Sequence, residues 1–403
     1  MPLLAHPSAF PGRHWETGSV ANALSFTSAP LSEALLLGLS GGIAFGYFTF
    51  HYAGYAPHVA LLTRNTFDPL EALLNRLAIP REVVHTDKPD KAEANLIAAL
   101  EGGSPVFVWA DMYGLPYNAM EYYAGDGVWA MAPVLVYGVE NGEAWITDRS
   151  AAPLRVPMDV LTAARGRVRK DRYRQMTLSA PDLGRMVSAV ESSIRQCLSL
   201  FTDLPPAGSA DNFGLKALDA WAGMLTNTRN KRGWARFFPR GEGLYAALAG
   251  HPGQPGAYTQ LAASPWTLDD GGGAERLRYA AFLDEAAALL MRPALREAAA
   301  CFRASHAAWL ELADALLPDG TPLAASKSLL ARRTRVFVEQ GSDAEPELRQ
   351  INEQLAGLRA AAATEFPLNE ADTRALLNDL ADHVRAVRVL EADAVAALRT
   401  AMA

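Results

Sequence analysis

The chain has 403 residues, half of them hydrophobic and a fifth charged, with a formal net charge of −7 and a sequence pI of about 5.7. That length suffices for two or three domains with a sizeable core and argues against global disorder. The acidic balance argues against a nucleic-acid partner, which would leave a basic footprint, and the two cysteines, Cys197 and Cys301, are too few for a disulfide framework or a cysteine-rich zinc site.

No apolar run reaches the roughly 18 residues of a membrane span, and no signal pattern opens the chain. The expectation is a reduced, cytoplasmic protein with no membrane partner. Residues 1–13, with Pro2, Pro7 and Pro11, read as loop. His14-Trp15-Glu16-Thr17-Gly18-Ser19-Val20-Ala21-Asn22 then runs into a helix over about 15–27. Unpaired N–H groups at such an end favour anions and thiolates. His14 reads as a general base or as a residue that fixes the loop. Glu16 reads as a base, an amine-binding carboxylate or a first-turn acid that caps the helix. Trp15 reads as a filler of acyl-sized space or a stacking wall for a flat ligand.

Ser40-Gly41-Gly42 followed by Ile43 to Phe48 lacks the spacing and the Lys-Ser/Thr pair of a phosphate loop, so it reads as close packing. A strand is expected at 59–63, an amphipathic helix at 68–77, a helix at 92–100 and a central strand at 105–110. That strand ends in Asp111-Met112-Tyr113, and Tyr117 follows; polar groups at a strand end line a cleft or make a turn. Glu140-Asn141-Gly142-Glu143 between two apolar runs is a hairpin signal, with Asp148 just after its second strand. The six basic residues between Arg165 and Arg174 read as a solvated linker face. From about 180 the chain reads as helical, with a connector at 205–208, a pause at Pro293, and long amphipathic segments at 345–362 and 369–402. Those two segments pack within the chain or pair across a homodimer. His51 and His58 give no metal site, and no cofactor is called for. The pattern is α+β over residues 1–175 and α-helical over 176–403.

Together these stretches resemble the butirosin-biosynthesis H family. The matching residues are Gly12-Arg13-His14 with Glu16-Thr17, Gly41-Gly42 with Phe45-Gly46-Tyr47-Phe48, Leu62-Thr63-Arg64, Asp111-Met112-Tyr113 with Leu115-Pro116-Tyr117, and the hairpin ending at Asp148. Further on they are Gly214 to Trp221, Lys231-Arg232-Gly233-Trp234, and Arg278-Tyr279 with Phe282 to Ala286. The resemblance implies a papain-like (cysteine-protease-like) domain followed by a helical domain. It also implies acyl transfer from a carrier-protein thioester to an amine of a small molecule, through cysteine, histidine and an acid. The implied cysteine position holds Trp15, the implied histidine position falls at about Ala132, and only the acid, Asp148, stands.

Two functions follow. One is a divergent acyl-transfer or condensation enzyme of secondary-metabolite biosynthesis that works without a cysteine, with His14 and Glu16 catalytic. Trp15, Asp111, Tyr113, Tyr117 and Asp148 would bind its substrate. The other is a pseudoenzyme that binds an intermediate, an acyl carrier protein or an active partner.

Overall fold

The computed structural model describes residues 3–51, 57–120, 130–203, 205, 210–251 and 253–403. The first half of the chain holds α1 (Thr17–Leu24), α2 (Glu33–Leu39), β1 (Ile43–Phe50), β2 (His58–Arg64), α3 (Pro69–Arg76), β3 (Arg81–Val84) and α4 (Pro89–Glu101). Then come β4 (Val106–Asp111), β5 (Met131–Glu140), β6 (Glu143–Thr147), β7 (Leu154–Pro157), α5 (Met158–Gly166) and β8 (Gln175–Leu178). The longer helices beyond are α6 (Met186–Thr202), α7 (Gly214–Thr226), α8 (Trp234–Phe237), α9 (Glu242–Leu248), α10 (Ala257–Ala262), α11 (Pro265–Leu268) and α12 (Arg276–Leu289). They are followed by α13 (Ala294–Leu316), α14 (Leu323–Gln340), α15 (Glu345–Thr364) and α16 (Glu370–Ala401). The chain is thus α+β, with its main sheet early and helices late. Of the connector expected at 205–208, all but Pro205 lies outside the described residues. Among the described residues, no helix is long and apolar enough to cross a membrane.

Two compact units interleave in sequence. The first comprises residues 1–36, 70–186 and 335–350, the second 37–69, 187–334 and 351–403. The contiguous division expected at 175/176 falls inside β8, a strand of the first unit.

The first unit is built on a six-stranded antiparallel sheet in the order β3-β8-β4-β5-β6-β7. β4 and most of β5 are buried on both faces, which explains their continuous apolar runs. The expected hairpin is present. Asn141 (φ 52°) and Gly142 (φ 83°) both take the left-handed conformation that a tight two-residue turn between twisted strands requires.

The basic stretch is not a solvated linker. It ends α5 and leads into β8. Arg165 is buried and hydrogen-bonds Gln175 at 3.3 Å, and burial lowers its guanidinium to about 10. Arg174 lies over the Trp109 ring at 4.0 Å. Charge counting missed this because guanidinium planes stack and pair inside a fold where ammonium groups would not.

In the second unit, β1 and β2 form an antiparallel hairpin whose apolar side chains Phe45, Tyr47, Val59 and Leu61 join a core with Trp221, Trp234 and Trp309. Residues 43–50 are therefore a strand. Only Gly41 (φ 104°) and Gly42 (φ 74°) make the turn before it. A Cβ on Gly42 would lie 2.7 Å from the Tyr279 ring, which is the close packing the sequence suggested.

Two buried ion pairs anchor this unit. Glu391, fully buried, accepts from Arg276 Nε at 2.9 Å and Trp309 Nε1 at 2.9 Å, and also from the Ser305 hydroxyl. Arg276 donates in addition to the carbonyls of Thr63, Ala274 and Ala44 at 2.9, 2.7 and 3.0 Å. Arg64 and Glu275 form a second buried pair. Cys197 is buried, and burial pushes its thiol up to about 12; Cys301 is half-buried.

Candidate functional site

The loop before α1 is held by a carboxylate from well down the chain. Glu33, at the start of α2, accepts from the backbone N–H of Arg13 at 2.8 Å, the N–H of His14 at 3.0 Å and the Thr17 hydroxyl at 3.2 Å. The loop that leads into α1 thus folds around an internal anion. Asn22 locks the loop from the other side, accepting from Gly12 N–H at 2.8 Å and donating to Thr147 Oγ1 at 2.6 Å. Gly12 and Gly18 touch through their backbones: a Cβ on Gly12 would sit 2.1 Å from the Gly18 carbonyl oxygen. Gly12→Ala is expected to destabilise the protein by about 1–3 kcal/mol through this overpacking. Urea denaturation checks it, and an unchanged midpoint would remove the close-approach argument.

His14 is 4% exposed. Its Nδ1 accepts the Glu16 N–H at 3.2 Å, which assigns the neutral ring proton to Nε2. Both nitrogens are then committed, one as acceptor and one as donor, so a free lone pair for base catalysis requires breaking the Glu16 contact. Trp15 is 36% exposed, its ring 5.1 Å from that of His14, and so it is not sealed into a core. Glu16 stands at the N-cap of α1 without a side-chain capping bond. Ser19 Oγ reaches the Pro133 carbonyl at 3.5 Å, which places α1 against the start of β5. Ala132 there is buried and pairs across the ladder with Ala110, so two small side chains stand where a base is implied.

Asp148 is fully buried and fully engaged. Arg149 donates to both of its oxygens, Nε to Oδ1 at 2.8 Å and Nη2 to Oδ2 at 2.7 Å, while the Tyr117 hydroxyl donates to Oδ2 at 3.0 Å. Burial, and then the Asp148 charge, hold the Tyr117 hydroxyl well above its ordinary value, so it remains a donor. Arg149 also bonds Asn118 Oδ1 at 2.7 Å and lies over the Phe337 ring at 5.4 Å. Nearby, Ser150 donates to the Phe337 and Val338 carbonyls at 3.2 and 3.1 Å.

Asp111 and Tyr113 are brought together elsewhere in this unit. They line a cleft of about 490 Å³ with Leu115, Met120, Ala163 and Arg349. Asp111 is 1% exposed and accepts from Tyr113 N–H at 3.3 Å and Ala130 N–H at 3.0 Å. Its other oxygen lies 3.5 Å from Arg167 Nε. His14, Trp15 and Glu16 are not among the residues lining this cleft. Glu33, Arg149 and Phe337 were missed in the sequence. Arg149 had a local signal, a basic residue beside the acid; Glu33 and Phe337 had none.

These contacts belong to an α+β unit in which Trp15 and Ala132 stand at the two positions where the resemblance implies a cysteine and a histidine. Residues 14–149 match the family model for Butirosin biosynthesis protein H, N-terminal, and over that segment the chain is similar to this family. No curated protein matches the chain. Among the described residues, no group of three or more His, Cys, Asp or Glu side chains is placed to hold a metal ion.

Proposed function

We propose that the chain is an acyltransferase-like protein of small-molecule biosynthesis that no longer catalyses covalently and serves as a binding module for an intermediate, a carrier-bound acyl group or an active partner. The observation that carries this is the state of Asp148, whose two oxygens are taken by Arg149 and Tyr117. Buried and holding three bonds, this carboxylate is committed to Arg149 and Tyr117 rather than to an imidazole. In this reading the first unit has a papain-like arrangement, supported by the meeting of α1 with β5 at Ser19 and Pro133. Asp111 and Tyr113 form the ligand wall, and Trp15 offers an exposed stacking face.

A second reading, non-covalent transfer by His14 and Glu16, is favoured by one observation: the two residues stand together at the start of α1, His14 Nδ1 accepting the Glu16 N–H at 3.2 Å. Thiol release from a panel of aminoacyl and fatty-acyl thioesters, with and without amines and with intact mass recorded, separates the two. Wild type and His14→Ala are expected to release no thiol above buffer. Trp15→Cys is expected to gain an acyl adduct, because a thiol at this exposed position meets the thioester but lacks a base to turn it over. Turnover by wild type that is lost in His14→Ala would overturn the binding-module reading in favour of the second.

A further inference from the structure

The second unit contains a cleft of about 610 Å³ that the first unit's site does not use. Tyr258, Ala262, Leu310, Glu311, Asp314 and His383 line it, from α10, α13 and α16. Tyr258 is 7% exposed, and its hydroxyl makes no hydrogen bond among the described residues. Burial raises this phenol above its ordinary value, with Lys327 opposing and Asp314 and Asp319 adding to the rise, so it stays neutral beside these charges. Glu311 makes no hydrogen bond or ion pair among the described residues.

The fixed cation nearby is already neutralised, since Lys327 Nζ lies 2.6 Å from Asp314 Oδ1 and 3.0 Å from Asp319 Oδ1. His383 is 3.7 Å from Asp379. Negative charge is therefore in excess around the hydroxyl of a largely buried tyrosine, and Ala262 and Leu310 add apolar wall. A hard metal ion wants six or more oxygen ligands, or a compact set of carboxylates, which this cleft does not offer. An ammonium on a hydrocarbon stem suits both the acids and the wall.

We propose that this cleft binds a primary alkylammonium ion, its methylenes along Ala262 and Leu310 and its ammonium between the Glu311 carboxylate and the Tyr258 hydroxyl. The site lies within the second unit and stands whether or not the first unit catalyses.

Calorimetric titration of the full chain with cadaverine tests it, against 1-pentanol and against sodium chloride of matched ionic strength. The expected result is saturable binding of cadaverine alone. Glu311→Gln weakens it about tenfold or more, as loss of a charge-assisted bond should, and Tyr258→Phe weakens it a few-fold. Glu311 is exposed on its helix, so Glu311→Gln should keep the wild-type circular dichroism and melting point. The proposal is overturned if cadaverine gives no saturable heat, if 1-pentanol or the salt reproduces that heat, or if folded Glu311→Gln binds as wild type does.

Discussion

Glu391→Ala is expected to cost about 3–5 kcal/mol of stability, because it strands the buried guanidinium of Arg276 without its counter-charge. Ser305 and Trp309 lose their acceptor in the same substitution. Urea denaturation followed by circular dichroism checks this, and a loss below about 1 kcal/mol would contradict it. Removing both charges with Arg276→Met and Glu391→Leu should recover part of the loss. Recovery stays incomplete because the carbonyls of Ala44, Thr63 and Ala274 lose their shared donor.

The same pair sets an acid limit. Burial alone would raise the Glu391 carboxyl, but the Arg276 charge and the bonds from Arg276, Ser305 and Trp309 outweigh it and hold the group below its ordinary value of 4.5. Glu275 is lowered in the same way: burial opposes, and Arg64 outweighs it. A carboxyl depressed in the folded state contributes its full stabilisation above the unfolded value. That contribution is lost as pH falls through the folded value. Stability from these two pairs should therefore be flat above about pH 5 and fall below the ordinary value of 4.5. The acid slope of the unfolding free energy should shrink in the double variant.

Asp148→Ala is expected to destabilise by a similar amount, about 3–5 kcal/mol, since Arg149 and the Tyr117 hydroxyl would both be left buried and unpaired. Thermal and urea unfolding measure it. Were Asp148 an accessible orienting carboxylate, the substitution would leave stability within about 0.5 kcal/mol of wild type. Asp148→Asn should fall between, keeping the Tyr117 bond and losing the charge.

What the sequence disclosed was local. Asn141-Gly142 between apolar runs announced the hairpin because the turn requires two left-handed residues. The amphipathic run at 369–402 announced α16, whose first turn Asn369 caps by accepting the Asp372 N–H at 2.9 Å. For Asp111 and Tyr113 the strand end left a cleft and a turn both open, and the structure holds both: they line a cleft, and Asp111 accepts the Tyr113 N–H. The hidden parts lie between distant segments. Glu33 bonds the loop 16 to 20 positions earlier, and Phe337 lies under Arg149 from the far end of the chain. Periodicity reports which face of an element is apolar, not which remote residue will meet it. Strand β1 was hidden for a different reason: Gly41 and Gly42 before it and Gly46 within it read as turn, and its burial, continuous from Ile43 to Tyr47, gives no alternation.

The interleaving of the two units bears on how the protein is made. Each is assembled from three segments that alternate along the chain. A nascent chain that has emerged as far as residue 186 holds the whole six-stranded sheet but not residues 335–350, which supply Val338 and Ser342 to the backbone at Ala151 and Arg155. Residues 37–69 wait likewise for α7 and α13 before their aromatic faces are covered. Completion of both units is therefore deferred until the last of their three segments has emerged, and Phe45, Tyr47, Val59 and Leu61 are surface that a ribosome-associated holdase would have reason to cover meanwhile.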